Sequence, residues 1–501
     1  MKQRNLSSNN NRRVSLFFIT ILILTVANIL ISTYFVSKDV FSSSSNTDDI
    51  IELDNSADAA STPIVTPHRS NSENHQGLTT SPKSPAIEVF TKCMLQLEEY
   101  YQDFFPQYAN ARQPFPVSVK IVDDHFYVLI SLDTTGLDFI PWTRATTSFA
   151  CNNVPAILIS SHRHRCPTKK SAVVKCPQSL SPNNSTLRTL TIVPLGNEMA
   201  KVEYKLDKFL ECEQKDIAWF AETRNRAGAR PIKTGITTTF SGGREEALEW
   251  AVYHHLIGFD HVWMYVNEPW ENGKDLPQSL DFLTFIPYNI KASYFKGNIL
   301  AYMSTPFADV FRTASQNDAL WRARRMGLEW MAFPDLDELV VLGNSALHSN
   351  ISFTSTTPLK SYLADYKATH GDKYTGIFLR SVPYGKNVHE TKKPELMIDY
   401  TWRQNLNLTL HCCYARNKLI LDVHKNNAVS LHFEASDGKN LFVPKTTDEL
   451  HVNHYKNRDM GVFNMKHKWL RPPDIIDDTR LRDEYRNRVV ELTLSIREGM
   501  S

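Results

Sequence analysis

Hydrophobic and polar positions divide the chain into stretches of different rhythm. Val14 to Val36, VSLFFITILILTVANILISTYFV, is one apolar run without a charge. As a helix it would be roughly 34 Å long, enough to cross a hydrocarbon core of about 30 Å. Lys2, Arg4, Arg12 and Arg13 precede it, so the positive-inside bias keeps the N-terminus in the cytosol and sends the rest across. A cleaved signal peptide is the competing reading, but the run exceeds the usual ~7–15 apolar residues of such a peptide and no A-x-A site follows. The next stretch, to about Pro85, is rich in Ser, Thr, Asn, Asp and Pro. It has too little apolar surface to offset its ordering entropy and is predicted to be a flexible stem. This divides the N-terminal part into a tail (1–13), an anchor (14–36) and a stem (37–86).

From Ile87 to about Lys215 the apolar runs are short and β-prone: FPVSVKIV, HFYVLISL, PAILIS, AVVKC and LTIVPL. Turn residues separate them and no long helical period is evident, which predicts a β-rich accessory domain over 87–230. The rhythm changes near Pro231. GITTTF (235–240) reads as a buried strand, and Ser-Gly-Gly leads into a helix opened by Glu245 and Glu246, where negative charge suits the helix dipole. Leu248, Ala251, Val252, His255 and Leu256 mark its inward face. HVWMYV (261–266) is a second strand, which completes a βαβ unit. A helix over Ala308 to Met326 then runs into EWMAF. Residues 231–501 thus read as an α/β domain with an open, mostly parallel sheet flanked by helices, of the kind that binds ligands beyond the carboxyl ends of its strands.

Charge alters this picture only by exclusion. Lys and Arg total 56 against 54 acids in 501 residues, a net charge of +2, which offers no basic face for nucleic acid. Seven cysteines are compatible with disulfides in an oxidising lumen, in connectivities the spacing does not fix. Sequons at Asn183/Asn184, Asn350 and Asn407 agree weakly with that compartment. HRHRC (162–166) lacks a second ligand pair at zinc-finger spacing and reads as a basic turn.

The chemistry concentrates at Asp335-Leu336-Asp337. In extended chain both carboxylates project to one side while Leu336 faces the core. Paired hard oxygen donors suit Mg²⁺ or Mn²⁺, which in turn bridge phosphate oxygens. Solvated acidic turns share this tripeptide, but the flanking apolar runs, EWMAF before and LVVL after, favour a ligand. EALEWAVYHHLIGFDHVWMYVNE, ASQNDALWRARRMGLEWMAFPDLDELVVL, KLILDVHKNNAVSLHF and ELHVNHYKN, in this order, resemble the landmarks of glycosyltransferase family 92 over roughly residues 231–469.

The resemblance implies a GT-A fold, a nucleotide-sugar donor such as UDP-galactose, Mn²⁺, inversion at the anomeric carbon, and a glycan or polysaccharide acceptor. With the anchor, it implies a type II protein of the Golgi membrane. It assigns Asp335 and Asp337 to the metal, with His454 as the late histidine and His432 as its rival. Thr237, Thr238 and Asn267 lie where donor contacts are expected. Arg244 could meet a phosphate or simply be a solvated helix-start arginine. Gln316, Asn317 and Asp318 resemble a donor-side Asn-Asp pair, and Pro334 departs from the usual apolar residue before the motif. Glu390 is the candidate base, against an ordinary surface glutamate, and Tyr384 and Trp402 are candidate sugar platforms or core residues. Two other classes compete. A non-catalytic carbohydrate-binding protein on the same fold would be indifferent to the motif, and a hydrolase would need a G-x-S-x-G or H-E-x-x-H that is absent.

Overall fold

The computed structural model describes residues 88–89, 91–96, 115–123, 125–133, 149–163, 169–177, 189–194, 202–226, 233–269, 280–288, 306–343, 358–385, 396–404, 417–429, 440–444, 449–455 and 475–498. Among these no helix is long and apolar enough to cross a membrane; the predicted span and stem lie outside them, as do the sequons.

The β-prone runs form two antiparallel sheets. Strands β1 (Phe115–Val122), β2 (His125–Asp133), β5 (Ile157–Arg163) and β6 (Lys169–Lys175) make the first, in the order β1-β2-β6-β5. Strands β3 (Phe149–Cys151), β4 (Val154–Pro155), β7 (Thr189–Pro194) and β8 (Val202–Lys205) make the second, in the order β4-β3-β7-β8. Cys93 is joined to Cys212 and Cys151 to Cys176. Helix α1 (Leu206–Arg226) follows directly and corrects the expectation that no long helical segment precedes Lys215. Its buried stripe, Cys212, Glu213, Asp216, Trp219 and Phe220, has helical spacing. Two of the five are carboxylates, so the stripe is hidden from a hydrophobic pattern.

The large sheet is built from β9 (Thr234–Phe240), β10 (His261–Val266), β11 (Leu283–Pro287), β12 (Trp330–Ala332), β13 (Glu338–Leu342), β14 (Gly376–Gly385), β15 (Trp402–Gln404), β16 (Lys418–Asp422), β17 (Leu441–Phe442), β18 (Leu450–His454) and β19 (Ile475–Asp477). Helices α2 (Arg244–Ile257), α3 (Pro306–Arg325), α4 (Pro358–His370) and α5 (Arg480–Glu498) complete the α/β architecture. The main path runs β11-β10-β9-β12-β16-β14-β15-β19, with β13 paired to β18 and β18 to β14. The first four strands are parallel, whereas β16 is antiparallel to both β12 and β14, and β15 to β14 and β19. The sheet is therefore mixed, where a mostly parallel one was expected.

Two glycines explain how β9 hands over to α2. Gly242 and Gly243 take φ of 69° and 65°, the left-handed region that a side chain resists. Helix α2 is buried almost all round, from Ala247 to His254 and again at Ile257. The fully buried histidine is thus His254, while the predicted His255 is half-buried and stacked on Phe282, because the helix also packs against the outer edge of β13.

The β-rich segment and the large sheet share one core. Val119, Phe126, Val128, Trp219, Trp263, Tyr265, Leu320 and Met331 belong to a single buried cluster. Within it six charges close on one another. The Lys120 ammonium lies 2.8 Å from Glu213 Oε1 and 3.2 Å from Asp318 Oδ1. Arg322 pairs with Asp216 and, at 3.0 Å, with Asp318 Oδ2, while Arg325 pairs with Glu213 and Asp216. Burial alone would raise the Asp318 carboxyl, but Lys120, Arg322 and the Tyr265 hydroxyl bring it down to about 2.

Candidate active site

Strands β11, β10 and β9 succeed one another on one side of the sheet, and β12 joins β9 from the other. The strand order reverses between β9 and β12, and such a switch point opens a crevice beyond the carboxyl ends of the strands. The Asp335–Asp337 tripeptide comes directly after β12 and hence at that crevice. It is not extended, as expected, but a turn between β12 and β13. The Glu338 amide donates to Asp335 O at 3.0 Å, and the Asp335 amide donates to Glu338 Oε2 at 2.7 Å. This reciprocal pair closes the turn on itself.

The turn is held from three sides. Opposite Glu338, β18 ends at His454, and the Tyr455 amide donates to Asp337 O at 2.8 Å. This register brings His454 Nε2 within 3.4 Å of Asp337 Oδ2. From β16, Lys418 reaches Asp335 Oδ2 at 2.8 Å and Glu338 Oε2 at 3.3 Å, with its own side chain 1% exposed. Arg312 Nη1 stands 3.7 Å from Asp335 Oδ2. On the third side α2 meets the outer edge of β13. Trp250 Nε1 donates to Glu338 O, the Val340 amide to His254 Nε2, and the Tyr253 hydroxyl to Val340 O. His254 Nδ1 in turn faces Trp250 O at 2.8 Å. A carbonyl can only accept and an amide can only donate, so His254 is the neutral Nδ1–H tautomer. Burial drives its pKa down to about 3. The EW-x-x-YHH block therefore acts as a substitute strand against β13.

The electrostatics follow from these contacts. Burial opposes ionisation of Asp337, but the hydrogen bond and charge of His454 keep its carboxyl below the usual range. Burial pulls the Lys418 ammonium down, yet Asp335 and Glu338 outweigh it and hold it above the usual lysine value.

A divalent cation can be tested against this donor set. Oxygen and nitrogen donors 3.4 Å apart can share one ion at metal–ligand distances of about 2.1 Å. Ions of this class commonly use one or two protein carboxylates and take the rest of their shell from water and phosphate. Asp337 and His454 fit that pattern. Asp335 is turned to Lys418, and among the described residues no group of three or more His, Cys, Asp and Glu is assembled to hold a metal.

The predicted donor residues are distributed unevenly. Thr237 Oγ1, Thr238 Oγ1 and Gln316 Oε1 are buried without a hydrogen-bond partner. Two of them sit within three residues of the end of β9, and Gln316 follows Ser315, whose hydroxyl lies 2.6 Å from Thr239 Oγ1. Buried orphan atoms beside a crevice are available to a ligand. Arg244 is paired through Nε with Glu268 Oε1 at 3.2 Å, and Glu268 Oε2 also receives the Gly242 amide. This pair braces the β9–α2 turn against the end of β10, where the Asn267 amide bonds Phe240 O. Asn317 and Asp318 are engaged inside the protein. Asn317 bonds Thr313 O and both the amide and carbonyl of Val429, and Asp318 belongs to the closed charge cluster. Tyr384 is buried and donates to Asp478 at 3.1 Å. Glu390 and His432 lie outside the described residues. Lys418, Glu338, Arg312 and Glu268 were not anticipated. A lone lysine opening the otherwise apolar KLIL was the available signal, since a buried charge demands a partner.

A search of curated proteins finds no match to the chain. The model of glycosyltransferase family 92 matches residues 244–489, a span that opens at the first residue of α2 and includes the acidic turn, Lys418 and His454. The central strand β9 lies just before it, so the folded unit that carries the crevice is longer than the match. Over residues 244–489, the chain belongs to glycosyltransferase family 92.

Proposed function

We propose that the protein transfers galactose from UDP-galactose to a hydroxyl of a glycan or polysaccharide acceptor, with inversion, in the Golgi lumen, anchored by Val14–Val36. The observation that carries this reading is the Asp337–His454 pair beside the switch point of a family 92 domain. Asp337 and His454 would hold Mn²⁺. The ion, when bound, supplies positive charge to the leaving diphosphate. The orphan groups of Thr237, Thr238 and Gln316 offer hydrogen bonds to the donor. Glu268 and Arg244 fix the turn on which that side of the crevice rests. Attack by the acceptor oxygen on the anomeric carbon breaks the bond to UDP and releases one proton, which a carboxylate base must take; Glu390 is the candidate.

The test is release of UDP by residues 86–501 from a panel of nucleotide sugars, with Mn²⁺ or with excess chelator. Release from UDP-galactose in Mn²⁺ alone is expected. Equal release in chelator would remove the metal from the proposal, and release from another sugar donor would correct only the donor. A carbohydrate-binding protein without activity would release nothing from any of them.

A further inference from the structure

The Asp335 carboxylate is the half of the acidic tripeptide that does not stand with His454. Its Oδ2 is bonded to Lys418, a side chain almost wholly withdrawn from solvent, which also contacts Glu338. Lys418 opens β16, the strand next to β12, and Phe333 N still bonds Leu419 O beyond the last β12–β16 pair. The lysine is therefore anchored by the same ladder that delivers the turn. Three carboxylates lie within four residues of chain at Asp335, Asp337 and Glu338, and a buried ammonium is the nearest compensating charge. Glu338 already has its other task, accepting the Asp335 amide that closes the turn. The ammonium thus fixes both ends of the turn, at Asp335 through a side-chain bond and at Glu338 through the residue that caps it.

We propose that Lys418 is a positioning residue of the active site: it holds Asp335 in the orientation in which the turn accepts the metal–nucleotide complex, and it acts through Asp335. This rests on the metal-dependent reading above. Neither Asp335 nor Lys418 then contributes independently, because without the ammonium the carboxylate loses its 2.8 Å ion pair and keeps the more distant Arg312 guanidinium at 3.7 Å, which holds it less tightly against repulsion from Asp337. The ammonium without the Asp335 carboxylate still meets Glu338, but it no longer holds the end of the turn that faces the crevice.

The experiment uses UDP as the probe, titrated calorimetrically into residues 86–501 with saturating Mn²⁺. Lys418→Met alone would leave Glu338 buried and uncompensated, so the working variant is Lys418→Met with Glu338→Gln, which removes one charge of each sign and keeps side-chain volume. Its melting temperature is measured alongside. UDP affinity is expected to fall about 10- to 30-fold, a loss of one to one and a half powers of ten. Asp335→Asn should fall by a similar factor, and the triple variant should fall no further than either. Glu338→Gln alone is the reference variant, and the double variant should bind UDP about 10-fold more weakly than this reference, which assigns that part of the loss to the lysine. A folded Lys418→Met/Glu338→Gln protein that binds UDP like the wild type would overturn the proposal. So would a triple variant in which the two losses multiply in full, for then Lys418 does not act through Asp335. Wild-type UDP affinity that is indifferent to chelator would instead overturn the metal reading on which this one rests.

Discussion

At the scale of single residues the acidic tripeptide divides into unlike halves. Asp337 faces His454 and Asp335 faces Lys418, although the two are chemically identical in the sequence. Asp337→Asn conserves volume and removes the charge on which the proposed Mn²⁺ site depends. We expect the transfer rate to drop by two to four powers of ten, about 3–5 kcal/mol of transition-state stabilisation. The melting temperature should fall only modestly, since Asp337 is partly exposed and its pairing with His454 is the stabilising contact that is lost. His454→Ala should raise the Mn²⁺ concentration needed for half-maximal rate. A Mn²⁺ titration of the rate in each variant decides both points. The sequence singled out this turn, because a D-x-D between apolar runs is a local signal. It could not show that the motif is a turn rather than a strand end. Nor could it show that a lysine 83 positions later binds one carboxylate, because that contact is made by sheet order alone.

Among the elements, strands were easier to read than helices. GITTTF and HVWMYV carry no acidic residue, lysine or arginine and are rich in β-branched and aromatic residues because both faces of β9 and β10 are covered, and such runs are legible. Helix α2 was located correctly, and Leu248, Ala251 and Val252 of its predicted face are buried, but the face was drawn too narrow, since a helix buried nearly all round has no single stripe. Its histidine gives a pH prediction. His254 titrates near 6.5 when unfolded and near 3 when folded, and His261, also pushed down by burial, near 4. Between those values the unfolded chain binds more protons, so stability is full above about pH 6.5 and falls as the pH drops toward 3. At pH 5.5 each group costs about 1.4 kcal/mol relative to pH 7.5 or above. Urea unfolding at pH 7.5 and 5.5 should show this decline, and His254→Gln should remove roughly half of the part due to these two residues. An unchanged slope in that variant would mean that His254 is not buried neutral.

For the whole molecule, the family match begins later than the fold it belongs to. Strand β9 precedes residue 244, and α1 with β1 supplies Glu213, Asp216 and Lys120 to the charges of α3. Truncation to 231–501 removes both carboxylates of Arg325 and uncovers the apolar cluster shared with Phe126 and Trp219. Stranding one buried charge costs about 3–5 kcal/mol, comparable to the whole stability of many domains. We expect 231–501 to be insoluble or to lack a cooperative melt, while 86–501 melts cooperatively; differential scanning calorimetry of the two distinguishes them. The proposed topology has its own test. Microsomes carrying the full chain should protect the C-terminus from added protease, and cleavage there without detergent would refute the lumenal assignment.

The side-chain cover on β13 also has a consequence for how the protein survives its own synthesis. A strand that offers bare amides and carbonyls along one border is a template for any other extended chain. Here three side chains of a single helix, Trp250, Tyr253 and His254, satisfy that border, and they can do so only once α2 has formed and docked. Until then the acidic turn sits next to an open, strongly apolar LVVL segment. A variant that loosens the helix would thus surface first as self-association of newly made chains, before any defect in catalysis could be seen.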